Sequence, residues 1–287
     1  MLYLGVDLGG TNIKAALVNS EGEILCEAGI PTNLPRPAEA VCDDIATLCL
    51  QLAEGKDVAG VGVGCPGTVD GGTVLYSNNL DWHDFAMEEY LAQKTGLPVA
   101  VGNDANVAAL GEQWRGGGRG FDNIVMVTLG TGVGGGIIMD GKILTGENGA
   151  AGEIGHITVN PKETLTCGCG CKGCLEQYSS ATGVIRMAKE RLEASDKPSE
   201  LRKFAADEIG GKEVFDAYKA GDELAAEAVN EFAIYLGMGL GNVASVVDTQ
   251  AFVIGGGLSK NGPVGIDIVK EQYKKNVMFA LKNTEFR

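Results

Sequence analysis

Apolar positions in this chain come in short runs separated by glycine turns, and the same order occurs twice. Residues 2–28 read as an apolar strand, a Gly-Gly-Thr turn, a strand over 13–18, a turn at 19–22 and a strand over 24–28. Residues 123–144 repeat it as strand IVMVTL, a Gly-Thr-Gly turn, strand GGIIM, an Asp140-Gly141 hairpin signal and strand KIL. Two antiparallel starts of this kind predict two similar α/β halves facing each other across a cleft.

Residues 37–54 have helical spacing with Pro37 in the first turn. The runs VAGVGVG (58–64) and LPVAVGN (97–103) read as buried strands. Residues 106–114 look helical and end in RGGGRG (115–120), a stretch with little conformational restraint. The boundary is expected there, giving halves of 1–117 and 118–287. Beyond a cysteine-rich loop the chain is mostly helical, with 223–246 the longest candidate, before a strand and glycine turn over 251–259.

The 287 residues suffice for one large domain or two ordinary ones, and chains of this size bury about 75 % of their unfolded surface. Net charge is −15, from 38 acids against 23 bases. That acidity, without a run of Lys or Arg, argues against a nucleic-acid or anionic-membrane partner. No signal peptide or membrane-length apolar run is read, so a cytoplasmic setting is expected. Cys26, Cys42 and Cys49 then read as small apolar fillers, and Cys65 as a reduced thiol.

DLGGTNIK (7–14) is a glycine turn between two strands. Backbone N–H groups of such a turn can cradle phosphate oxygens; Thr11 and Lys14 add donors, and Asp7 can hold magnesium through water. A plain hairpin is the bland alternative. LGTGVGG (129–135) formally contains G-x-G-x-x-G, but a dinucleotide site requires a helix to open there. A strand and hairpin follow instead, so a second phosphate loop fits better. The GGG at 255–257 suits an adenine or ribose against bare backbone, and equally a tight turn.

NDAN (103–106) stands where a strand ends and a helix begins, which makes Asp104 an N-cap by default. An aspartate near a substrate alcohol is also what phosphoryl transfer to that alcohol requires. In that role the helix N-terminus would keep Asp104 ionised near neutral pH. SNNLDW (77–82) and GCPG (64–67) read as loops whose amides and glycines suit a polyol, and His83 as a surface histidine. Four cysteines fall within residues 167–174, and His156 ends AGEIGH (151–156), whose Glu153 could accept sugar hydroxyls. His156, Cys167, Cys169 and Cys174 form a structural zinc set with Cys171 spare; disulfides or an iron–sulfur cluster are the rivals.

Taken together these motifs resemble the ROK family of sugar kinases and repressors, within the actin-like ATPase (ribonuclease H-like) superfold. DLGGTNIK resembles the first phosphate motif, LGTGVGGG the second and IGGGLS the adenosine motif. AGEIGH followed by CGCGCKGCLE is similar to the family signature with its zinc knuckle. The resemblance implies Asp104 as catalytic base and Asn79, Asn103, Glu153, His156 and Glu176 as sugar ligands, with Pro66 and Gly67 beside them. Asp7, Gly9, Gly10, Thr11, Asn12 and Lys14, with Gly130, Thr131, Gly132, Gly256 and Gly257, would take ATP. It also implies a further helix, beyond the counterpart of Arg287, folding back on the N-terminal half.

The expected activity is ATP- and magnesium-dependent phosphorylation of the 6-hydroxyl of glucose by a homodimer. NLDWHDF (79–85) and 97–112 look most like the family's glucokinases. Other hexose kinases of the family, for fructose, mannose or N-acetyl-hexosamines, share most of these residues, and polyphosphate is an alternative donor. A sugar-responsive regulator would carry a winged helix before Leu2, where no room for one is read.

Overall fold

Contacts divide the chain into two units, Met1–Gly116 with Ile143–Ala151, and Gly117–Lys142 with Gly152–Arg287. The computed structural model describes residues 1–258 and 263–287.

In the first unit, β1 (Leu2–Leu8), β2 (Asn12–Asn19) and β3 (Ile24–Pro31) form an antiparallel meander. Helix α1 (Ala38–Ala53) buries Val41, Cys42, Ile45, Ala46, Leu48 and Cys49 at helical spacing. It returns the chain to β4 (Val58–Cys65), which lies parallel to β1. A separate antiparallel sheet holds β5 (Thr68–Asp70), β6 (Thr73–Ser77) and β7 (Trp82–Phe85). Helix α2 (Met87–Thr95), strand β8 (Val99–Asn103) and helix α3 (Asp104–Arg115) complete the unit. The main sheet runs β3-β2-β1-β4-β8.

Two stretches expected as loops are partly strand. SNNLDW spans the end of β6, a turn and the start of β7, and GCPG begins on β4. Ser77 pairs with Trp82 across the ladder, and both are buried. Cys42 and Cys49 fill the core as expected, and Cys26 is half-buried. Burial pushes the thiols of Cys49 up to about 11 and Cys65 up to about 12.

In the second unit, β9 (Ile124–Leu129), β10 (Val133–Met139) and β11 (Lys142–Ile143) begin a sheet that ends in β12 (Ala251–Gly255) and β13 (Glu285–Phe286). Its order, β11-β10-β9-β12-β13, reproduces that of the first sheet, with β12 parallel to β9. Between β11 and β12 come α4 (Glu176–Ser179), α5 (Ala181–Ala194), α6 (Gly211–Lys219) and α7 (Glu223–Val247); α8 (Pro263–Asn276) follows β12. Asp222 caps α7 by accepting the Ala225 amide at 2.9 Å. A Cβ on Gly237 would stand 2.6 Å from the Cβ of Gln272, so this glycine sets the approach of α8. Among the described residues no helix is long and apolar enough to cross a membrane.

Candidate functional site

Asn103 and Asp104 divide the work at the β8–α3 junction. Asn103 is the cap, accepting the Asn106 amide at 3.0 Å, and its Nδ2 donates to the Gly67 carbonyl at 2.9 Å. Asp104 is therefore not the N-cap that its position suggests. It is the first helical residue, and its Oδ1 accepts the Ala105 amide at 2.8 Å. Asp104 is exposed as a residue, yet the protein atoms around it desolvate its carboxylate. That desolvation moves its pKa upward, against the pull of the Ala105 amide and with added repulsion from Asp7. The helix N-terminus alone would have predicted the opposite direction.

The first glycine turn lies in the same unit. Gly9 donates to Asn12 at 2.9 Å; Thr32 Oγ1 donates to the Gly9 carbonyl at 2.7 Å and Thr32 N to the Thr11 carbonyl at 2.9 Å. Gly10, Thr11, Asn12 and Lys14 are exposed. Asp7 faces Lys14 across the β1–β2 ladder, so a carboxylate and an ammonium share one face of the sheet. An ideal Cβ on Gly10 would lie 4.0 Å from the carbonyl of Asn79, which brings the first glycine turn beside the exposed β6–β7 turn. Gly67, at φ +106°, packs so closely that a Cβ there would stand 2.3 Å from the Tyr76 carbonyl. Pro66 is buried beside it. Asp7, Lys14, Asn103 and Asn106 line an open cavity of roughly 1340 Å³ that runs along α3 to Trp114.

In the second unit, the turn Gly130-Thr131-Gly132 is held from α5: Ala181 N donates to the Gly130 carbonyl and Thr182 Oγ1 to the Thr131 carbonyl, each at 2.8 Å. A Cβ on Gly132 would stand 2.6 Å from Glu176 Oε2, and one on Gly256 would stand 2.4 Å from the Leu129 carbonyl. The second glycine turn thus lies between Glu176 and the glycines after β12. Gly256 and Gly257 are exposed; Ser259, the end of that motif, lies outside the described residues. AGEIGH packs on β10 through bare backbone, because a Cβ on Gly155 would stand 2.0 Å from the Val133 carbonyl.

The ligand atoms of His156, Cys167, Cys169 and Cys174 all lie within 4.8 Å of one another. Cys169 and Cys174 sulfurs are 3.5 Å apart, and Cys167 Sγ is 3.7 Å from His156 Nδ1. Zinc–sulfur bonds of about 2.3 Å in a tetrahedron need sulfurs about 3.8 Å apart, so this donor set fits a closed structural zinc site. Exposed Cys171 stands outside the cluster. With Nδ1 facing the sulfurs, His156 Nε2 faces Glu153 Oε2 at 3.8 Å. Glu176 Oε1 lies 3.0 Å from Cys167 Sγ and 3.7 Å from His156 Nδ1.

The predicted residues therefore gather into one group in each unit: Asp7 to Lys14, Pro66, Gly67, Asn79, Asn103 and Asp104; and Gly130 to Gly132, Glu153, His156, the cysteines, Glu176, Gly256 and Gly257. Sequence reasoning missed Thr32 and Thr182, whose hydroxyls pin the two glycine turns. Each contact spans 23 or more positions, so no local signal marks it.

The model of the ROK family matches residues 3–287. A glucokinase of Halalkalibacterium halodurans is 43% identical over 282 residues, covering 95% of this chain and 85% of that protein. A ROK family glucokinase from Streptomyces griseus, solved in complex with glucose and AMPPNP, has 39% identity and a TM-score of 0.84, covering 100% of this chain and 93% of its own. A ROK family transcriptional regulator has a TM-score of 0.90 at 26% identity, covering 99% of this chain and 72% of its own.

Proposed function

This chain belongs to the ROK family, whose sugar kinases have the actin-like ATPase fold, and we propose that it transfers the γ-phosphoryl group of ATP to the 6-hydroxyl of glucose. The observation that carries this reading is the likeness, across the whole chain, to a glucokinase solved with glucose and AMPPNP. Asp104 accepts the proton of the 6-hydroxyl as that oxygen attacks the γ-phosphorus and ADP departs. A raised pKa brings a carboxylate closer to the operating pH, and general-base help of this kind is worth on the order of 10²–10⁴-fold.

Asn79, Asn103, Pro66 and Gly67 are assigned to the sugar in the first unit, and Glu153, His156 and Glu176 in the second. The glycine turns at 9–12 and 130–132 offer backbone N–H groups to the phosphates, and Gly256 and Gly257 offer bare backbone to the adenosine. Magnesium, which would neutralise developing charge on the phosphates, suits the oxygen donor Asp7. Zinc on His156, Cys167, Cys169 and Cys174 would fix the imidazole by Nδ1 and leave Nε2 for a hydroxyl. A homodimer in the cytoplasm completes the proposal; sedimentation velocity tests the first part.

Incubation with ATP, magnesium and a panel of hexoses, followed by ³¹P NMR of the products, tests the reading. Glucose 6-phosphate as the favoured product supports it. Tenfold better kcat/KM on mannose, fructose or an N-acetyl-hexosamine overturns glucose as the substrate, and turnover with polyphosphate alone overturns ATP as the donor. Absence of any turnover together with duplex binding at physiological salt would favour the regulator.

A further inference from the structure

The cysteine loop has two limbs, 160–167 leading in and 174–178 leading out, and Tyr178 of the second reaches back to the first. Tyr178 is buried, and its hydroxyl donates to the Glu163 carboxylate while accepting from Asn160 Nδ2 at 2.8 Å. The other oxygen of Glu163 accepts the amides of Thr164 at 2.7 Å and Leu165 at 2.9 Å, three and two positions before Cys167. Gln177 adds a second tie, donating to the Leu165 carbonyl and accepting the Cys174 amide, each at 3.0 Å.

The far side of this link is packed against α5 and α7. The Tyr178 ring lies 4.0 Å from the ring of Tyr235 on α7, and the guanidinium of Arg186 on α5 stands 5.6 Å from its centroid. Arg186 also donates to the Gln177 carbonyl at 3.0 Å. Glu176 stands on the same short helix, two positions before Tyr178.

We propose that Tyr178, acting through Glu163, is a positioning residue that holds the incoming limb against α4 and so sets the spacing of Cys167, His156 and Glu176. This rests on reading the cluster as a zinc site beside the sugar ligands. Partners that hold metal ligands directly typically cost 10–100-fold in affinity or activity when removed, and a link one step further out should cost less.

The test compares Tyr178→Phe, which keeps the ring stack, and Glu163→Gln with the wild-type full chain. Zinc release to a chromophoric chelator, KM and kcat for glucose, and Tm are measured. Both variants should release zinc at least threefold faster and raise KM threefold or more, with kcat within twofold. Zinc release and KM within twofold of wild type in both variants overturn the proposal, as does a loss of kcat that merely follows a loss of Tm. Glu163 is half-buried at the surface, so its variant decides the matter should Tyr178→Phe fail to fold. Wild-type protein without zinc would sink the zinc reading itself; zinc-loaded protein indifferent to both substitutions sinks only this inference.

Discussion

Nδ1 of His156 lies 3.7 Å from Sγ of Cys167, while Nε2 of the same ring lies 3.8 Å from Oε2 of Glu153. One imidazole thus joins a sulfur cluster to a carboxylate assigned to the sugar. Elemental analysis should find one zinc per chain. Cys167→Ser and Cys174→Ser should lose it together with at least tenfold in glucose affinity by calorimetry, whereas Cys171→Ser should keep both. Unchanged glucose affinity after verified metal removal would refute the scaffold role.

Thiol accessibility gives a separate check. Burial raises the thiols of Cys49 and Cys65 and raises Cys42 further still. The thiolate is the reacting species, so these three should resist alkylation while the protein is folded. In the zinc-loaded protein at pH 8, peptide mapping after iodoacetamide should find label on Cys171 and half-buried Cys26 alone. Rapid labelling of Cys42 or Cys65 under those conditions would mean that the core is not packed as described.

As the proposed base, Asp104 would link activity to stability through its raised pKa. A general base works deprotonated, so kcat/KM should fall on the acid side through a value above the ordinary aspartate pKa of about 3.9. For folding the sign is reversed. A carboxyl whose pKa is raised in the folded state favours folding when protonated, a contribution present below about pH 3.9 and lost as pH rises through the folded value. Asp104→Asn should therefore melt higher than wild type at pH 7 and lose that advantage near pH 3. A lower melting temperature at pH 7 would contradict the environment assigned to this carboxylate.

Gly155 tests the seating of the AGEIGH segment. A Cβ there would lie 2.0 Å from the Val133 carbonyl, backbone against backbone, where no rotamer change gives relief. Gly155→Ala should cost about 1–3 kcal/mol in urea unfolding, as overpacking does, and raise KM for glucose more than it lowers kcat. Wild-type stability and KM in this variant would show that the turn is not pressed on β10.

The repeated meander was legible because Gly9-Gly10-Thr11 and Gly130-Thr131-Gly132 each interrupt a pair of apolar strands, and the structure gives both sheets the same strand order. The cysteine cluster was legible from spacing, since its three cysteines lie within eight positions and only the histidine must come from outside. The sheet of β5, β6 and β7 was not, because strands of three to five residues are too short to show a period. The sequence also put the cap on Asp104, where the structure has Asn103. Both side chains cap helices equally well, and the choice falls to Asn103 because its amide also reaches the Gly67 carbonyl, 36 positions away.

The most direct measurement is steady-state turnover of Asp104→Ala on glucose with ATP and magnesium, paired with glucose affinity by calorimetry. If this carboxylate takes the hydroxyl proton, kcat falls at least about a hundredfold while glucose still binds within a few-fold of wild type. Near-normal kcat in that variant would contradict the account.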